Sequence, residues 1–137
     1  MIPIPANLRD RLLDAAEQVV ARDGVNSLTL ASVADEAGVS KGGLLYHFPS
    51  KSALITAIVE RMATRCDAEH AKALEADPEP VGRFTRAYLT TRMAQNKQKR
   101  DHSISNALLA AAGTDPQYLE PFRRRHELWQ SNVKLDG

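Results

Sequence analysis

Apolar residues recur along this chain at steps of three and four, the spacing that puts them on one face of an α-helix. Leu8, Leu12, Ala15, Ala16, Val19 and Val20 form the first such stripe, with Pro5 and Asn7 as start signals and Gly24 as the stop. Thr29 can cap a second, short helix with Leu30, Val33, Ala34 and Ala37 inward, ended by Gly38. Ser40 can cap a third helix running to about Tyr46. After the Pro49-Ser50 break, Ser50 caps a long fourth helix whose stripe is Leu54, Ile55, Ile58, Val59, Met62 and Cys66, fading towards Ala76. Asp77-Pro78-Glu79-Pro80 is the clearest linker-like turn. A fifth helix carries Val81, Phe84, Tyr88, Leu89 and Met93, and residues 96–101 make a polar, basic connection. A sixth runs from Ile104 to Ala112 and stops at Gly113. Asp115-Pro116 starts a seventh, with Leu119, Phe122, His126, Trp129 and Val133 on one face. No segment alternates with the period of a strand. The expected fold class is all-α: an N-terminal three-helix domain over residues 1–50, then a second helical domain over 51–137 that begins with the connecting helix 51–76.

Composition changes this picture little. Hydrophobic residues make up 43% of the 137 positions and charged residues 26%, as in ordinary soluble globular domains. The formal net charge is only +1, and residues 1–51 carry five basic side chains against six acidic ones. A nucleic-acid partner therefore has to be argued from local geometry, because the bulk field is weak. Cys66 is the only cysteine, which excludes an internal disulfide and a CxxC metal site and fits a reducing cytoplasm. The N-terminus has no secretory pattern, and no apolar run nears the ~18 residues needed to span a bilayer, so no membrane partner is expected.

Candidate chemistry concentrates between Thr29 and Lys51. Two short helices separated by Gly38-Val39 have the layout of a helix-turn-helix, whose second helix enters the major groove. Gly42 and Gly43 lie in the first turn of that second helix, where each costs ~1 kcal/mol relative to alanine. They permit either close approach to a groove wall or tight packing against a neighbouring helix. Together with Ser40, Lys41, Tyr46, His47 and Lys51, the groove reading is the stronger.

These residues resemble the DNA-binding domain of TetR/AcrR family regulators. Thr29, Val33, Ala34, Ala37, Gly38, Val39, Ser40, Gly42, Leu44, His47, Phe48 and Lys51 stand where the family pattern has them, and the resemblance covers residues 8–62. It implies a helix-turn-helix domain followed by a helical ligand-binding and dimerisation domain. It also implies a transcriptional regulator, in this family a ligand-responsive repressor, that binds double-stranded operator DNA, responds to a small-molecule effector and works as a homodimer in the cytoplasm. Ser40, Tyr46 and Lys51 would hold phosphates, Lys41 a phosphate or a guanine edge, and Gly42 and Gly43 would let the helix sit deep. Thr29 would cap its helix and donate to a phosphate, while His47 would meet a phosphate or cap the small core. Leu44 and Phe48 belong to the core. One departure is Leu45, where the family commonly has tyrosine. Either Tyr46 takes over that backbone contact or Leu45 makes an apolar one to a thymine methyl.

In the second domain the resemblance places a ligand cavity among the helices. Its candidate lining is Met62, Cys66, Tyr88, Leu89, Arg92, Met93, Leu108, Phe122, His126 and Trp129, with Arg92 and His126 as polar anchors; the same residues would also serve as plain helical core. The six basic residues between Arg83 and Arg100, unbroken by an acid, suit a solvated helix face and, less well, a nucleic-acid patch. Family members continue for two more helices that build the dimer, so the chain is expected to be truncated at its C-terminus and its dimer face incomplete. No enzyme motif is present. The four histidines lack HxxxH spacing, and there is no P-loop, GxGxxG or nucleophile elbow, so neither a metal nor a cofactor is expected. An all-helical protein-interaction module that uses the helix-turn-helix only as a scaffold is the alternative.

Overall fold

The computed structural model describes residues 7–95, 104 and 110–135. Six α-helices are delimited in it: α1 Leu8–Asp23, α2 Leu30–Ala37, α3 Lys41–His47, α4 Lys51–Ala76, α5 Arg83–Gln95 and α6 Glu120–Leu135. Residues 110–114 are also helical. The expected connection at 96–101 and most of the expected 104–112 helix, with candidate Leu108, lie outside the described residues. Among the described residues there is no strand, and no helix is long and apolar enough to cross a membrane.

Capping accounts for the N-terminal boundaries. Asn7, Thr29, Ser40 and Ser50 each accept a hydrogen bond from a backbone N–H in the first turn of the helix they precede, at 2.9–3.1 Å. Thr29 and Ser32 form a reciprocal capping box. Gly38 adopts φ +68°, a left-handed conformation that an L side chain strains. There the Val39 N–H donates to the Ala34 carbonyl and the Gly38 N–H to that of Asp35, the paired bonds of a Schellman motif. This is what turns α2 sharply into α3.

Leu12, Leu13, Ala16, Val19, Leu28, Val33 and Leu44 are fully buried, and Leu54, Ile58 and Val59 of α4 complete the same core. The core of the N-terminal unit thus extends past residue 50, because three short helices leave an apolar side that the first turns of α4 cover. Ile104 joins this core, and Tyr118 and Phe122 pack against it.

Glu17, only 1% exposed, binds this unit to α4 through charge. Its carboxylate accepts from Arg61 and from Arg65 at 3.0–3.3 Å, and Arg61 also pairs with Asp14 at 2.8 Å. Further on, Arg86 reaches back over the Asp77–Pro80 turn. It pairs with Asp77 at 2.7 Å and donates to the carbonyls of Glu79 and Val81. The Arg86 hydrogen bond to its carboxylate, with one from the Glu79 N–H, holds the Asp77 carboxyl below its ordinary range.

Three expectations are corrected. The inward face of α5 is Phe84, Ala87, Tyr88 and Thr91, whereas Val81, Leu89 and Met93 are exposed. Leu89 lies five residues after Phe84, so it sits about 140° around the helix from it. In α4 the buried stripe runs through Ala63 and His70, leaving Met62 and Cys66 half-buried at its margin. The last helix does not start directly at Asp115-Pro116. A 3-10 turn, Pro116–Leu119, comes first, capped by Asp115. Pro121 has no N–H to donate, so it fits only in the first turn of a regular helix, and α6 begins at Glu120.

Candidate nucleic-acid interface

The sequence of α3 leaves one of its faces uncovered. Leu44 and Phe48, four residues apart, are buried, at 0% and 2% exposure. Gly42 and Tyr46 lie on the opposite face, where Tyr46 is 86% exposed, Leu45 is exposed beside them, and Lys41 is exposed as the first residue of the helix. Gly43 and His47 lie half-buried on its flank, where the His47 ring packs edge-on against Tyr46 at 5.2 Å.

The two glycines separate on inspection of their surroundings. A Cβ built on Gly42 meets nothing within 4 Å, so packing within this chain gives no reason for glycine there. A Cβ on Gly43 would come within 3.3 Å of Ser40 Oγ, the hydroxyl that caps α3, so Gly43 has a local role in the cap. Ser40 and Thr29 are both exposed, and their hydroxyls accept the capping N–H while keeping a proton to donate outward. Lys51 is the first residue of α4, exposed, and borders a cleft of about 260 Å³ with Asn26 and Tyr118.

Arg9 is a residue the sequence pattern did not single out. Its guanidinium lies over the Phe48 ring at 5.3 Å and borders a cleft with His47, Ser50 and Ser52. Glu17 with Arg61 and Arg65 was missed as well. Contacts spanning more than forty residues leave no local signal.

In the second half, two clefts of about 450 and 350 Å³ open between α5 and α6. Both are lined by Tyr88, His126 and Trp129, and the smaller also by Arg92 and Phe122. Half of the candidate cavity residues therefore meet there. Met62 and Cys66 do not border either cleft, and Leu89 and Met93 face solvent for the reason given by the α5 geometry. Behind the clefts, four rings step inward from Tyr88 through Trp129 and His70 to Phe84, with successive centroids 4.8, 5.7 and 4.5 Å apart.

Two family models match this chain. One, described as bacterial regulatory proteins of the tetR family, covers residues 12–58, and a tetracyclin repressor-like C-terminal domain covers residues 82–137. The chain belongs to the tetR family. The first match of this tetR-family chain holds α2, α3 and the Glu17 carboxylate, and the second holds both clefts. Among curated relatives, it is 34% identical over 76 residues to the transcriptional regulator TtgR of Pseudomonas putida, covering 54% of this chain and 36% of the relative. It is 26% identical over 87 residues to the transcriptional repressor KstR2 of Mycolicibacterium smegmatis, covering 64% of this chain and 42% of the relative. The chain thus spans less than half the length of these relatives. The ketosteroid transcriptional regulator KstR2 of Mycobacterium tuberculosis shares the fold, with a TM-score of 0.70 at 18% identity, over 98% of this chain and 69% of that one.

Proposed function

We propose that this tetR-family chain belongs to a DNA-binding transcriptional repressor released from its operator by a small-molecule effector. The observation that carries the DNA reading is the uncovered face of α3, where Gly42 has open space above it and Lys41, Leu45 and Tyr46 stand around it. In this reading the protein acts in the cytoplasm as a homodimer, with each α3 in a major groove about one helical turn (~34–36 Å) or a multiple apart. Residues 1–50 supply the DNA-reading domain and 51–137 the sensing domain. Ser40, Thr29, Tyr46 and Lys51 hold phosphates, and Lys41 and Leu45 meet base edges. Tyr46, at 86% exposure against 38% for Leu45, suits the backbone contact the better of the two. Effector and DNA oppose each other because each favours a different spacing of the two α3 helices. The names of the relatives as repressors support the direction of control.

The test is a mobility shift on fragments from upstream of the protein's own gene, run over a range of salt. Specific binding should weaken steeply with salt. Lys51→Ala should weaken it several-fold and lower the salt slope by about one, the loss of one phosphate contact. Binding unaffected by salt, or a Lys51→Ala slope equal to the wild type, would count against the phosphate assignment. Equal affinity for an operator with one half-site scrambled would end the dimer reading.

A further inference from the structure

The two clefts between α5 and α6 differ from plain helical core in their charge. Their shared wall is Tyr88, Trp129 and His126. Lys134 lines one cleft and Arg92 and Arg123 line the other, and among the described residues no carboxylate lines either. Arg123 has a partner in Glu120 at 3.2 Å, but both side chains are about half exposed, and such a pair is easily given up. Arg92 and Lys134 have no ion-pair partner among the described residues. Gln130 Nε2 lies 2.9 Å from His126 Nε2 and steadies that ring between the clefts. The walls are otherwise apolar and aromatic. An occupant that met only the aromatic wall would leave these cations facing it unused. A cationic occupant would meet them as like charges.

We propose that the effector is an apolar organic anion, with its body against Tyr88 and Trp129 and its carboxylate or phosphate on Arg92 and Arg123. This rests on the reading of the clefts as the effector site. The guanidinium fork matches either anion with two parallel hydrogen bonds, and a body that excludes water strengthens them.

Trp129 is the only tryptophan of the chain, so its fluorescence reports on this site alone. The probes are decanoate, decyl phosphate, decanol and decyltrimethylammonium, which share one optically silent tail, titrated below micelle-forming concentrations. At least one anion should bind about tenfold or more tighter than decanol, as expected of hydrogen bonds to a charged group, with the cation weakest. Comparing the two anions tells carboxylate from phosphate. The double variant Arg92→Gln with Arg123→Gln should bring the anions down to the level of decanol and leave decanol unchanged, which a folding defect would not do. Equal binding of decanol and the anions, tightest binding of the cation, no response to any probe, or an anion preference surviving the double variant would each overturn the proposal. Operator release is measured with the same four probes. Anion binding at Trp129 without release would sink the effector reading while leaving the anion site standing. Release by decanol or the cation alone would do the reverse.

Discussion

Gly42→Leu is expected to abolish operator binding while leaving the fold as stable as the wild type, or more stable by up to about 1 kcal/mol, the usual gain when a helical glycine is replaced. The two effects part company because the position is open on the inside and, in the proposed complex, occupied on the outside. Apart from its chain neighbours and the backbone of its own helix, nothing lies within 4 Å of a Cβ at Gly42, so a side chain there starts into open space. In the groove, a leucine side chain would lift α3 from the base edges. Losing two contacts of ~1–3 kcal/mol each lowers affinity by about 30-fold at the least. Thermal melts and mobility shifts on the same preparation give both readings. Gly43→Leu is the less clean probe, since its Cβ presses on the capping hydroxyl of Ser40 and couples binding to stability. A stable Gly42→Leu protein that binds DNA like the wild type would mean that this face of α3 does not enter the groove.

The second large effect is on stability. Glu17→Ala is expected to cost roughly 3 kcal/mol, the lower end for breaking a buried ion pair by removing one partner. The lower end applies because Arg61 keeps Asp14 and Arg65 is half exposed and can turn to water. For a domain of this size that is about 10 °C in melting temperature. Arg61→Met alone should be destabilising too, since it leaves a carboxylate of 1% exposure with Arg65 as its remaining partner. Combining Glu17→Leu with Arg61→Met should recover most of the loss, because two apolar side chains of similar volume need no compensating charge. A double variant as unstable as the sum of Glu17→Leu alone and Arg61→Met alone would show that the two residues do not act as a pair. The clasp fixes α1 to α4, the helix that leads from the N-terminal unit towards the clefts.

Much of this molecule is determined locally, and such features were legible in the sequence. The caps at Asn7, Thr29, Ser40 and Ser50, the left-handed Gly38 and the stripe of α1 depend on residues within a turn or two of one another. Most exposed candidates on α3 follow in the same way, since Leu44 and Phe48 must face inward and the helical period then sends Gly42, Leu45 and Tyr46 outward, while Lys41 is exposed by its place at the start of the helix. On α5 this reasoning failed. Several apolar stripes can be drawn through Phe84, Ala87, Tyr88, Leu89 and Met93, and only packing against α4 selects the one through Ala87 and Thr91. The pairing of Glu17 with Arg61 and Arg65, the stacking of Arg9 on Phe48 and the assembly of Tyr88, Arg92, His126 and Trp129 around two clefts join residues distant in the chain. Sequence by itself determined where the first four helices begin and how α2 turns into α3, because those bonds close within a few residues. Tertiary structure alone decided which charges and rings meet, because that depends on how whole helices lie against one another.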